Sequence, residues 1–395
     1  MKIAFIVRKL NVKGGTQRQA VFLARELKKM GHQVKFYTFI YSAEDCYENL
    51  LKEFKIVSLD YYPIASNYFV SLFLENRAAK KLAFLIDKDT DILHPHDQVS
   101  YRVAYYFKKK VKNIPSVWVM NDLPTKIWSF QRDSQFDPKL KSSFVKRFFY
   151  WLVDEYEIKK FIKPQDKIIV LDDRDQKWVK QYFDKQAIVV RSGLDLEEFS
   201  YKERQSLLDK KAKILMTGIF FRHRRFEDGI AAVKILKEKN YDVNLSIVGD
   251  YHVNEVYYEE LIGLIKKSGI EDLVNFAGRV SDEELLNFYQ RSDIFLFPNH
   301  WQSWGLAVFE AMACGVPAVV SKTAGASEVL TDGENALLVE PFKPEDLAAA
   351  VVKLIDNPGF YIKISRQGRE FVEKNISWPL MAQKVLEIFK GILKD

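Results

Sequence analysis

An apolar run ends at Phe297, stops at Pro298, and gives way to a polar loop carrying Trp301 and Trp304. Residues 306–314 then read as a short helix, ended by Gly315 and Pro317, and residues 317–320 as the next strand. Strand, loop, helix and strand make one βαβ step, which commits this part of the chain to a parallel sheet. The helix opens inside the loop, so its unpaired backbone N–H groups and positive dipole end face whatever lies there, an arrangement that suits a phosphate. Glu310 sits early in this otherwise apolar helix, where a carboxylate is costly to bury unless something pairs with it. A ribose diol is one such partner, because the carboxylate can accept from both hydroxyls.

The step recurs. Continuous apolar runs at 213–217, 243–248, 273–277, 293–297 and 317–320 predict strands with helices between them, as in parallel sheets covered on both faces. The first half alternates likewise, with strands expected at 3–7, 34–39, 91–96, 116–120, 167–171 and 187–190. A chain of 395 residues exceeds one ordinary core, so two domains are expected, with the polar, patternless stretch 200–212 as linker. The chain reads as two Rossmann-like halves with a crevice between them.

Several loops at strand ends carry candidate residues. In the first half, Gly14 and Gly15 precede a helix that Thr16 can cap and that buries Ala20, Leu23, Ala24 and Leu27. The two glycines either admit a ligand to the backbone or form a tight turn needing positive φ. His94 and His96 close a strand at the edge where such sheets bind ligands, as phosphate or sugar contacts or as solvated strand-end residues. Helices are expected over 76–86 and 98–111, and a long irregular loop with Trp128 and Phe130 over 123–140. Residues 141–163 mix aromatics with lysine and arginine. This suits either a membrane-surface helix or an ordinary amphipathic one, and Asp154, Glu155 and Glu157 dilute its basic face.

In the second half, Gly218 ends a strand and Arg222, Arg224 and Arg225 follow beside a helix start. Guanidinium forks match phosphate oxygens, so they form a candidate diphosphate clamp; the alternative is surface charge paired with Glu227 and Asp228. Two further exits, at Gly249 and at Gly278 with Arg279 and Val280, suit a nucleotide base held against backbone groups. The D-x-D spacings at Asp87, Asp89 and Asp91 and at Asp173 and Asp175 can hold a divalent metal in some transferases, although loop acids are the simpler reading.

The net charge of +7 suits anionic ligands or an anionic membrane face and is too small to argue for nucleic acid. Two cysteines, Cys46 and Cys314, build neither a disulfide framework nor a zinc cluster, which points to a reducing cytoplasm. The apolar run at 3–7 is followed at once by Arg8 and Lys9, too short for a signal-peptide core, and no stretch approaches the ~18 apolar residues of a membrane span. A cytoplasmic protein, at most peripheral on the membrane, is expected.

The chain resembles a family 4 retaining glycosyltransferase (glycosyltransferase group 1) along nearly its whole length. The resemblance lies in Gly14-Gly15, Gly31-His32, the segment 91–97, Gly193 to Asp195, Trp304-Gly305-Leu306 through Glu310 to Pro317, Gly325 to Glu328, and 332–339. It implies an α/β chain of GT-B fold: two Rossmann-like doubly wound parallel-sheet domains facing a cleft. An acceptor-side domain over 1–195, a donor-side domain over 196–376 and a C-terminal helix, 377–395, packing back on the first domain are expected. The implied activity moves a sugar from a nucleotide diphosphate sugar to a hydroxyl of a glycan or lipid-linked acceptor, with no metal or other cofactor. Of the family's two glutamates, Glu310 is the second and implies a ribose contact, while Gln302 replaces the first and can still bond sugar hydroxyls. The family's phosphate-binding pair falls on Ile219 and Arg224, with Arg222 or Arg225 supplying the missing charge. Arg279 and Val280 fall at the base, Trp304, Gly305 and Leu306 at the sugar and phosphates, and His96 toward the donor sugar. A nucleotide-sugar epimerase and a non-catalytic nucleotide-sugar binder are the competing readings.

Overall fold

The computed structural model describes residues 1–63, 65–125, 144–205, 207, 211–300 and 304–394, and for 144–146 the backbone alone. The chain divides into two compact units, Met1–Gly193 with Trp378–Asp395, and Leu194–Ser377.

The first unit is built on a parallel sheet of β1 (Lys2–Leu10), β2 (Gln33–Tyr41), β3 (Lys55–Ser58), β4 (Ile92–His96), β5 (Val117–Val119), β6 (Lys167–Val170) and β7 (Ala187–Val189). Its order is β3-β2-β1-β4-β5-β6-β7, with the reversal between β1 and β4. Helices α1 (Gly15–Lys29), α2 (Glu48–Leu51), α3 (Tyr68–Leu85), α4 (Ser100–Lys110), α5 (Phe144–Glu157) and α6 (Asp173–Trp178) complete the crossovers. Ala20, Leu23, Ala24 and Leu27 of α1 are fully buried, as their helical spacing requires.

The second unit repeats the plan with β8 (Lys211–Thr217), β9 (Asp242–Val248), β10 (Val274–Gly278), β11 (Ile294–Phe297), β12 (Ala318–Ser321) and β13 (Leu337–Val339). The order is β10-β9-β8-β11-β12-β13, again parallel, with the reversal between β8 and β11. Its helices are α7 (Phe226–Glu238), α8 (Glu255–Ser268), α9 (Asp282–Arg291), α10 (Leu306–Ala313), α11 (Pro344–Asp356) and α12 (Pro358–Asn375). Ser281 and Glu284 close a reciprocal capping box on α9, and prolines open α11 and α12 where no helical N–H partner is needed. The last helix, α13 (Trp378–Ile392), joins the first unit: Trp378 stacks on Phe22 of α1 at 5.3 Å, and Phe389 packs edge-on against His94 at 5.0 Å.

Local chemistry moves several expected boundaries. Thr16 lies inside α1 and Gly14 takes the cap position; the Thr16 hydroxyl instead accepts from Asn121 Nδ2 at 3.2 Å. Helix α3 starts at Tyr68, not 76, because the Asn67 side chain accepts from the Phe69 and Val70 amides. The strand β13 was not among the expected runs, being only three residues long. The stretch around 204 is not a free linker. Arg204 is buried and donates to the carbonyls of Tyr289, Gln290, Ser292 and Cys314, so it is anchored in the second unit.

Candidate functional site

At the strand reversal of the second unit, the loops leaving β8 and β11 meet: the His300 amide donates to the His223 carbonyl at 2.8 Å. Arg224 lies across Gly218, where a Cβ would stand 3.1 Å from its Nε, so glycine lets the guanidinium settle on the backbone. The buried Asn299 amide, in the orientation that satisfies both of its polar atoms, donates to the Arg224 carbonyl at 3.1 Å and accepts from its guanidinium at 2.9 Å. One arginine is therefore held by the exits of both central strands. Helix α10 begins one residue past Gly305, which is left-handed (φ 80°, ψ 61°) and supplies no side-chain cap. Helix geometry turns its first-turn amides toward the loop, where the Val308 amide donates to the Gly305 carbonyl at 3.1 Å.

Two neighbouring exits crowd the same edge. The Gly218 amide donates to the Val248 carbonyl at 2.9 Å and the Gly249 amide to the Gly278 carbonyl at 3.0 Å. A Cβ on Gly249 would lie 1.9 Å from the Gly218 carbonyl oxygen, so no other residue fits there. Tyr251 stacks on Tyr258 at 4.4 Å and lies against Gly278; Arg279 beyond it is exposed and Val280 half-buried. Together these give a fixed cation, helix-start amides and a flat aromatic shelf on one edge of one sheet.

Glu310 is buried on α10, and its Oε2 accepts from the Tyr289 hydroxyl at 2.9 Å; that hydroxyl lies 3.3 Å from Thr217 Oγ1. Burial first, then the Glu310 charge, push the Tyr289 hydroxyl well above its ordinary range, so it remains a neutral donor. The carboxylate thus has a protein partner, Tyr289, in addition to the ribose diol that the sequence suggested for it. Neither Tyr289 nor Asn299 stood out in sequence, since an isolated tyrosine in an amphipathic helix or an asparagine after a proline is commonplace.

Other expected site residues have protein partners of their own. Arg222 forms a two-point pair with Glu260 (2.7 Å) over the Tyr257 ring, and Arg225 pairs with Glu227 (2.6 Å) and Asp228 (2.7 Å) over Phe342. Of the three arginines expected to clamp a diphosphate, these two are held by acids. Trp304 is buried with its ring 4.6 Å from Phe309, so its side chain belongs to the core. Gln302 and the 126–140 part of the aromatic loop lie outside the described residues.

In the first unit, His96 does not project from the sheet edge. It is fully buried, stacked on Phe5 at 5.1 Å and 4.4 Å from His94, and its ring nitrogens have no hydrogen-bond partner among the described residues. Burial and the neighbouring His94 keep it neutral, its pKa well below the ordinary value; His94, which donates to the Val117 carbonyl, falls to about 4 by burial. Gly14 is extended (φ −145°), and a Cβ on Gly15 would meet nothing within 4 Å, so the pair does not form a positive-φ turn and Gly15 is open to solvent. The spaced aspartates serve as salt-bridge partners: Asp87 of Lys35, Asp89 of Lys2, Asp173 of Arg191.

Two family profiles match the chain, one described as Glycosyltransferase Family 4 over residues 13–198 and one as Glycosyl transferases group 1 over 198–371. An uncharacterized glycosyltransferase of Methanocaldococcus jannaschii is 25% identical over 408 residues, covering 99% of this chain and 98% of its own length. The mannosylfructose-phosphate synthase of Agrobacterium fabrum is 29% identical over 182 residues, 45% of this chain and 40% of that protein, so the matched stretch spans less than half of it. Among solved structures, a glycosyltransferase of Rickettsia africae aligns with a TM-score of 0.76 at 21% identity, over 100% of this chain and 99% of that one. Anabaena HepE, solved in complex with UDP, aligns at 0.74 and 16% identity over 99% and 100%. At these identities the solved structures speak for the fold.

Proposed function

The chain belongs to the group 1 glycosyltransferases of family 4, with the α/β GT-B fold, and on that premise we propose that it transfers a sugar from a UDP- or GDP-sugar to a hydroxyl of a glycan or lipid-linked acceptor, with retention at the anomeric carbon. The observation that carries this reading is Arg224, fixed by Gly218 and Asn299 beside the open start of α10. The costly event is cleavage of the bond from the anomeric carbon to the donor's β-phosphate oxygen, with positive charge growing on the sugar. A preset guanidinium and the positive end of α10 stabilise the departing diphosphate without reorganising. The acceptor oxygen forms the new bond on the same face, and its proton passes to the departing phosphate oxygen, so no side-chain nucleophile is required. Tyr251 and the glycine exits support the base, and Glu310, oriented by Tyr289, meets the ribose. Positive groups on the protein do the work of a metal in this scheme, and cell-surface polysaccharide or glycolipid synthesis is the setting that fits the acceptor class.

The test is incubation with labelled nucleotide sugars and mixed glycan and lipid-linked acceptors, with chelator present. A new glycosidic bond of unchanged anomeric configuration supports the proposal. Interconverted free nucleotide sugar would instead establish an epimerase, and saturable binding without turnover a non-catalytic binder.

A further inference from the structure

Helices α3 and α5 of the first unit turn exposed aromatic and basic side chains to solvent. On α3, Phe69, Phe73 and Phe84 are exposed, Phe73 by 66%, with Arg77, Lys80 and Lys81 between them at helical spacing. On α5, Phe148, Phe149, Trp151, Leu152 and Tyr156 are each at least 40% exposed, and Lys159 follows. The helices meet where Tyr68 and Tyr150 pack edge to face at 5.2 Å, and a pocket of about 330 Å³ opens beside them, lined by Leu72, Phe73, Leu152, Val153 and Tyr156. No helix among the described residues is long and apolar enough to cross a membrane, so this face is not part of a span.

The charges on the two helices are segregated. Asp154 and Glu157 are buried; Glu157 pairs with Arg102 at 2.6 Å, Glu75 with Arg102 at 3.4 Å, and Glu155 is half-buried. The acids that dilute the basic face in the sequence are thus withdrawn from it in the fold. Among the described residues of α3, α5 and the turn after it, every exposed side chain is apolar, aromatic or basic. Protein interfaces deplete lysine at their centres, whereas aromatic rings interleaved with Lys and Arg suit the headgroup boundary of an anionic bilayer.

We propose that this face of α3 and α5 docks the first unit onto an anionic lipid surface, with Phe73, Phe149 and Trp151 in the headgroup boundary and Arg77, Lys80, Lys81 and Lys159 on lipid phosphates. The proposal is independent of the transferase reading, because none of these side chains belongs to the site in the second unit.

The experiment is flotation of the whole chain with vesicles of phosphatidylcholine alone or mixed with phosphatidylglycerol, at low and high salt. Partitioning onto the phosphatidylglycerol vesicles is expected to exceed that onto phosphatidylcholine by at least about tenfold, and to fall with salt. Lys80→Glu with Lys81→Glu, and separately Phe149→Ser with Trp151→Ser, should each weaken it by roughly tenfold or more while melting as the parent does. In the unmodified chain, brominated lipid should quench a component of tryptophan emission that Trp151→Phe removes, a readout that does not depend on the charge variants folding. No preference for phosphatidylglycerol, or variants that bind as well as the parent, would overturn the proposal. So would a concentration-dependent dimer that the same substitutions dissolve, which would assign the face to a second copy.

Discussion

Arg224 and Arg225 stand side by side yet answer to different forces. Arg225 is left-handed (φ 56°) and satisfied by Glu227 and Asp228, whose own carboxyls burial pushes upward. Arg225→Ala strands two part-buried carboxylates and should cost on the order of 2 kcal/mol of stability, with activity per folded molecule nearly unchanged. Arg224→Ala should act chiefly on turnover, slowing it by roughly 100-fold, while the lost bond to the buried Asn299 amide costs about 1 kcal/mol of stability. Thermal melts beside single-turnover rates separate the two. At Glu310, replacement by alanine should weaken donor affinity by roughly 1.5–3 kcal/mol, and Tyr289→Phe by about 1 kcal/mol, since the tyrosine acts only by orienting the carboxylate. Calorimetric titration with nucleoside diphosphate measures both; unchanged affinity in Glu310→Ala would make the Tyr289 contact the carboxylate's whole purpose.

Among elements, the strands were legible because a parallel strand covered on both faces must be a continuous apolar run, and β11 and β12 are buried throughout. The start of α3 was not legible, because the tyrosine- and phenylalanine-rich run through 76 lacks amphipathic periodicity when its outer face is itself aromatic. The packing of the β8, β9 and β10 exits is a property of three elements at once. Gly249→Ala drives a methyl group into the Gly218 carbonyl and should cost on the order of 3 kcal/mol, felt in the second unit and reaching Arg224 through Gly218. Chemical denaturation should show the midpoint of that unit falling, with nucleotide affinity reduced in what remains folded.

For the whole molecule, pH is the broad control. His94 and His96 have folded pKa values below their unfolded ones, so protonation favours the unfolded chain. Their stabilisation is complete above about pH 6.5 and is lost as pH falls through each folded value; His94, lowered to about 4, contributes on the order of 3 kcal/mol that is lost as pH falls toward 4. His96→Phe, which keeps a ring stacked on Phe5, should flatten the acid side of a melting-temperature profile. The sequence by itself determined the repeated βαβ plan, the two parallel sheets and the glycine-rich exits, because periodicity and backbone freedom are properties of neighbouring residues. It could not tell which of three arginines stays at the sheet edge, that a tyrosine pairs Glu310, that His96 is enclosed, or that the acids of α5 turn inward. Those outcomes depend on partners far apart in the chain, such as Phe5 with His96, Arg224 with Asn299 and Arg102 with Glu157, and on the desolvation that fixes which charges must be paired; only tertiary packing brings either about.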